Sequence, residues 1–444
     1  VTVTGSHFGA YETVDVYFDT KDEKLASTSA SGAFVIRITV PVSASPGDHW
    51  VTASGRRSGL SAQAPFLVRT NWSEFGATND RDGYNQYENV IDPRNASSLS
   101  LDWYLDNLQP DGQIYSSPAV VDGVVYIGDG TTLYARNAAT GASMWSDHTD
   151  GFVSSSPAVV DGVVYVGDGN SVIALDAATG SLRWTFVTGG PVSSPPAVAD
   201  GVIYVGSGDD DLYALDASTG KLRWSHHTHA PVTCAPALAA GVVYIGSGDH
   251  DIYALYASGG KLLWSQATGN PVDWLSVANG VLYSSGDYVM YAIDASTGTQ
   301  LWTFSHNLSD GFSSSPTEAN GVVYVGSVDD HLYAVNATTG SLLWSYATGA
   351  MVTSSTVANG VIYVGSLDKR LYALNATSGK LLWSYLTGGF VYSSPAVANG
   401  VVYIGSGVAT VYAFHLLDGT HPPSRPQPNA LEPDLPPTST PGRH

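Results

Sequence analysis

Histidines and carboxylates crowd four short stretches: Asp147-His148-Thr149-Asp150, His226-His227-Thr228-His229, Asp273-Trp274 and His306-Asn307-Leu308-Ser309-Asp310. Imidazole and carboxylate are ligands of transition metals, so Asp150, His227, His229, Asp273 and Asp310 are candidate ligands. They lie in distant parts of the chain, and none shows the H-x-x-H or H-E-x-x-H spacing of a compact site. His227 and His229 are two apart, which on a strand gives them one face. Phe152, Phe312, Met351, Phe390 and Tyr392 stand near these stretches and would add apolar surface for a sugar, a peptide or another ligand. A purely acidic set, Asp209, Asp210, Asp211, Asp329 and Asp330, carries the hard oxygen ligands that calcium prefers. The same residues also suit solvated hairpin turns, and no EF-hand spacing accompanies them. The one cysteine, Cys234, takes a place held elsewhere by serine. It reads as a small buried residue unless a base and an electropositive setting activate it.

The elements that would position these residues are repeats. Trp103, Trp145, Trp184, Trp224, Trp264, Trp302, Trp344 and Trp383 recur about 40 residues apart. A turn pair recurs with them, from Asp122-Gly123 to Asn399-Gly400. Each unit resolves into four short strands, as in SSPAVV, VVYVG, LYALDA and LLWS. Asp-Gly or Asn-Gly closes the first hairpin and Thr-Gly the last. Residues 99–103 match only the end of a unit, whereas residues 393–416 match only a beginning. The two fragments complete one unit, which is how a closed ring hides its edges. The polar residue after the third strand (Asn137, Asp176, Asp216, Asp294, Asn336 or Asn375) can bind the backbone of the coming turn.

The motif A-x-D-x-x-T-G-x-x-x-W, at Ala174–Trp184 and Ala214–Trp224, resembles the repeats of quinoprotein dehydrogenases. It is similar as well to those of the related non-enzymatic propellers typified by the outer-membrane-protein assembly lipoprotein. The resemblance implies an all-β, eight-bladed β-propeller of four-stranded blades with a split closing blade, over residues 99–416. For the enzymes it further implies pyrroloquinoline quinone (PQQ) with Ca²⁺ above the channel, a vicinal Cys-Cys disulfide against the quinone and a Trp beneath it. One cysteine excludes that disulfide, and Trp274 is the only off-register Trp of the repeat region. The expectation is therefore no cofactor, with Ca²⁺ as the alternative and PQQ disfavoured.

Residues 1–70 alternate apolar and polar side chains in short runs, and the run GSHFGAYETV from Gly5 to Val14 resembles bacterial immunoglobulin-like β-sandwich domains. Its opening strand looks short, so an open edge is expected there. Residues 71–98 read as a linker packing toward the propeller. Residues 417–444 form a Pro-rich extended tail. The chain begins at Val1 inside a strand pattern, which suggests a processed or trimmed start. Asn71, Asn95, Asn307, Asn336 and Asn375 head N-x-S/T sequons and permit N-glycosylation.

The formal charge of −21 opposes nucleic acid and anionic membranes, and no apolar run is long enough to span a bilayer. Composition and resemblance together lead to an extracellular or cell-surface bacterial protein that binds or assembles without catalysis. Its expected partner is a protein or an extracellular polysaccharide, with self-assembly through the N-terminal edge or C-terminal tail. The alternatives are a carbohydrate-binding or glycan-active propeller and a PQQ-dependent dehydrogenase. The segments that vary between units, at the second-to-third turns and the fourth-to-first connections, are where a function is expected.

Overall fold

The computed structural model describes residues 2–40, 44, 47–106, 108, 114–286, 288–306 and 311–416. The Pro-rich tail, Asn307 and Asp310 fall outside the described residues.

Near the N-terminus six strands form two sheets. Lys21–Ser27, Thr13–Phe18, Gly47–Gly55 and Ser61–Val68 make a four-stranded sheet in that order, and Thr2–Gly5 pairs with Phe34–Arg37 in a two-stranded one. Phe8, Val14, Val16, Phe18 and Phe34 share one core. The opening strand thus has a partner on one side, along Phe34–Arg37. Glu12 is buried and accepts bonds from Ser58 Oγ at 2.7 Å and from the amides of Ser58 and Arg57. The Ser58 hydroxyl, opposed by burial, leads the donors that hold its carboxyl down to about 2.

Seven consecutive stretches follow: residues 119–148, 158–187, 197–227, 237–267, 272–304, 317–347 and 352–386. Each forms an antiparallel four-stranded sheet paired in chain order, and these are units 1 to 7. Unit 8 is composite: Ala396–Ala398, Val401–Ser406 and Thr410–Leu416 are completed by Leu99–Leu105. The first hairpins need two positive φ angles in a row, as at Asp122 (51°) and Gly123 (81°). Asp, Asn and Gly tolerate that conformation best.

The eight tryptophans follow one rule of register. Each lies opposite an alanine of the third strand, from Ala135↔Trp145 to Ala373↔Trp383, with Ala413↔Trp103 in unit 8. A small partner leaves room for the indole. From Trp103 to Trp344 each indole N–H donates to an alanine carbonyl of the following unit, as Trp145 does to Ala177 at 2.9 Å. The Thr-Gly turn is small for the same reason. A Cβ on Gly220 would stand 2.5 Å from the Trp184 ring, and the φ of 69° already disfavours other residues.

Unit 8 treats unit 1 as its next neighbour. Trp103 Nε1 and Tyr403 Oη both donate to the Ala138 carbonyl, at 2.9 and 3.2 Å. The Ser394 amide donates to Ser117 Oγ at 2.8 Å. The chain is therefore an all-β fold of repeated four-stranded antiparallel sheets whose two ends meet in one sheet.

Candidate functional site

The first strand of each unit is three to seven residues long and, within its unit, pairs only with the second. Its other edge carries amides that need acceptors. Residues 72–85 supply them. Trp72 exchanges two 2.7 Å backbone bonds with Val120, and the amides of Val159, Leu238, Val277, Glu318 and Val357 donate to the carbonyls of Ser73, Asn79, Asp80, Asp82 and Gly83. The Val198 amide faces the Glu74 carboxylate and favours its charged form, and Asn85 Nδ2 donates to the Val397 carbonyl at 2.8 Å. One short segment thus touches the first strand of every unit, in chain order. Tyr84–Asn85 adds a parallel strand to unit 7. The expected linker is in this respect a structural part of the repeat array.

Arg81 anchors the segment. It is 1 % exposed; its Nε donates to the Pro236 carbonyl at 3.0 Å, and Nη2 donates to Pro196 at 2.8 Å. Its Nη1 donates to the Phe75 carbonyl, and Glu74 Oε2 lies 3.6 Å from Nη2. Burial pushes Glu74 up to about 7 against the pull of Arg81. Trp274, the off-register tryptophan, packs near Phe75 with ring centroids 6.3 Å apart. The cavity left between the segment and units 6 to 8 is about 10 Å³ and is lined by Trp72, Phe75, Arg81, Ser315, Ser355 and Ser394. That is about the room one water needs.

Residues 69–98 cover the Asp-Gly and Asn-Gly side of several units. Asn399 bonds Thr70 through its amide N–H, its Oδ1 and its Nδ2, and Asn359 Nδ2 donates to the Ile91 carbonyl. Glu88 accepts from the Gly400 amide. This explains asparagine at these turns, because only the amide side chain donates. These contacts make it the side where residues 69–98 are held.

The expected site residues lie toward the other end and do not converge. His227 Nδ1 is 3.3 Å from Asp211 Oδ1 in its own unit, whereas the His229 amide donates to Asp249 of the next. The Asp150 amide donates to Asp168 Oδ2, and the Asp150 side chain is exposed. Asp273 is exposed beside half-buried Trp274. Phe312 departs from expectation. It is 6 % exposed and packs on Phe304 and Tyr333, filling the place of a core valine in its neighbours. Met351 is half-buried, and its carbonyl accepts from the Leu367 amide. Phe152 is exposed. Phe390 and Tyr392 do group together, joined by Tyr115, a residue the sequence reading did not single out. Its signal was its alignment with Tyr392, each preceding Ser-Ser-Pro.

The acidic turns clip hairpins. Asp209 accepts from Tyr213 Oη at 2.7 Å, from Gly189 N and from Asp211 N. Asp329 accepts from Tyr333 Oη at 2.6 Å and from the His331 amide. Burial acts to raise Asp209, but these donors outweigh it and hold the carboxyl below its usual range. Asp210 and Asp330 sit at φ 71° and 70° in the same turns. Among the described residues no group of three or more His, Cys, Asp or Glu side chains comes together to hold a metal ion. Cys234 is buried in the serine position of its unit, and burial pushes its thiol up to about 12. That excludes a ready thiolate. Of the sequons, Asn336 and Asn375 accept bonds from the amides of their own turns, and Asn71 and Asn95 bond Asp122 and Asp92.

Four overlapping stretches, residues 100–193, 169–290, 269–358 and 347–422, match the family described as outer membrane protein assembly factor BamB. No curated protein matches the chain. Among solved structures, BamB from Moraxella catarrhalis is similar at 21% identity and a TM-score of 0.62, over 72% of this chain and 98% of the other. Quinohemoprotein alcohol dehydrogenase ADHIIG from Pseudomonas putida HK5 is similar at 19% identity and a TM-score of 0.69, over 82% of this chain and 84% of the other. The quinohemoprotein alcohol dehydrogenase of Comamonas testosteroni follows at 18% and 0.67, over 78% and 80%. At such identities the structural likeness speaks for fold, and it is shared by an assembly factor and by dehydrogenases alike. The repeat matches span well over half of the sequence, and the chain belongs to the PQQ-type β-propeller repeat family.

Proposed function

We propose that the eight sheets close into an eight-bladed β-propeller over residues 99–416, preceded by an immunoglobulin-like sandwich over 1–70, and that the protein binds or assembles without catalysis. It works outside the cell or at the bacterial cell surface, using the variable end of the propeller and its terminal segments for contacts with other proteins. The observation that carries this reading is residues 72–85, which occupy the inner edges of all eight first strands.

The dehydrogenase reading has two quinohemoprotein structures on its side. The residues do not fit the group it requires. The single Cys234 excludes a vicinal disulfide, and Trp274 is engaged with Phe75. No step is therefore derived through a quinone.

Two measurements on the full chain test the proposal. With PQQ, Ca²⁺, an artificial electron-accepting dye and primary alcohols, dye reduction should stay at the level without protein. Reduction proportional to protein concentration would sink the non-catalytic reading. Cross-linking with mass spectrometry in cell envelopes should join the variable end or the first 70 residues to another polypeptide or a second copy. Cross-links confined within one chain would count against assembly.

A further inference from the structure

The segment 72–85 also changes what the open end can do. In every unit the residue after a buried valine, isoleucine or phenylalanine, at or a few residues before the start of the first strand, carries a side-chain oxygen. It is Tyr115 in unit 1, Ser193 and Thr233 in units 3 and 4, Asp273 in unit 5 and Tyr392 in unit 8. The residues before these positions, such as Ile114, Val192, Val232 and Val272, are buried. The serines that follow them are engaged: Ser116, Ser155, Ser194 and Ser393 each accept from the glycine amide twelve residues on. By contrast, Ser193 and Thr233 are exposed, and their hydroxyls make no hydrogen bond within the described residues.

Aromatic surface is concentrated on one side. Tyr115 is 45 % and Phe390 42 % exposed, with half-buried Tyr392 between them. The Tyr115–Tyr392 and Phe390–Tyr392 centroids are 5.0 and 6.0 Å apart. Units 8 and 1, which carry this group, are three and four sheets from unit 5, which carries Asp273. In a closed ring the aromatic wall and the carboxylate would stand on opposite sides, with hydroxyls between them. We infer that this open end, made a blind cup by residues 72–85, binds a neutral glycan, one sugar ring stacking on Tyr115 and Tyr392 and the hydroxyls of its further sugars meeting Ser193, Thr233 and Asp273. Flat aromatic faces suit the apolar face of a pyranose, and interleaved hydroxyl and carboxylate oxygens suit its rim. The overall charge of −21 disfavours acidic polysaccharides. The inference rests on the closed, non-catalytic ring proposed above and names a ligand for its variable end.

Saturation-transfer NMR on the full chain, with cellobiose, maltose and N,N′-diacetylchitobiose as separate probes and a decaproline peptide as a fourth, tests it. At least one disaccharide should receive transfer. Its affinity should fall at least fivefold in Tyr115→Ala and in Tyr392→Ala, both partly exposed positions, with an unchanged melting temperature. No transfer to any disaccharide would overturn the inference. So would transfer that survives the Tyr115→Ala/Tyr392→Ala double variant, or binding of decaproline alone. Dye reduction in the PQQ assay would sink the non-catalytic reading by itself, whereas a failed sugar titration would leave that reading standing.

Discussion

Arg81 and Glu74 show how much of the molecule depends on two side chains in an unremarkable polar stretch. Both are buried, and the guanidinium meets carbonyls from units 3 and 4 as well as its own segment. Removing one member of a buried pair strands the other. Arg81→Ala should therefore lower stability by about 3–5 kcal/mol, read as the urea midpoint of tryptophan fluorescence. Adding Glu74→Gln should recover part of the loss, because no buried charge is then left unpaired. An equal loss in the single and double variants would show that Arg81 acts only by filling space. Nothing in NDRDGYN announces this role. The residues look like solvated loop because their partners are backbone carbonyls more than a hundred positions away, and a backbone acceptor leaves no trace in side-chain type. The tryptophans were legible for the opposite reason: each repeats one local arrangement, with alanine across the ladder and glycine beneath the ring.

At the scale of the element, the segment 72–85 carries a titration of its own. Burial, reinforced by Asp80 and Glu318, pushes Asp82 up to about 7, although its carboxylate accepts from the Tyr84 amide. An unfolded Asp82 would lose its proton near 4. Between these values the folded chain binds more protons than the unfolded one, so this contribution to stability is full below about pH 4 and disappears as the pH rises toward 7. Asp82→Asn, which stays neutral, should flatten the fall in melting temperature between pH 5 and pH 7.5. An unchanged pH slope would remove Asp82 from the account. The strands and turns of the units could be drawn from the sequence because apolar alternation, Asp-Gly and Thr-Gly recur together. The site was less legible. Phe312 was expected at the surface because phenylalanine beside a polar connection looks like a binding residue, yet it fills a core position held elsewhere by valine. Tyr115 went unnoticed because it precedes a unit whose opening follows the split repeat.

For the whole molecule the dominant quantity is charge: 39 acidic against 18 basic side chains. Self-repulsion of that size opposes the compact state and is screened by salt. The melting temperature at pH 8 should rise by a few degrees between low ionic strength and about 0.5 M sodium chloride. A decrease would mean that ion pairs such as Arg56–Asp15 and Arg223–Asp216 outweigh the repulsion.

Because residues 72–85 lie before the repeats in the chain, the gauge for the array is synthesised before the array itself. Its eight consecutive attachment points match eight first strands and no other number. Gain or loss of one repeat by duplication or deletion, the ordinary way such arrays evolve, would leave an attachment point or a strand without its counterpart. The segment therefore acts as a tally that ties the copy number of the repeats to a stretch of sequence outside them, so that the two can change only together.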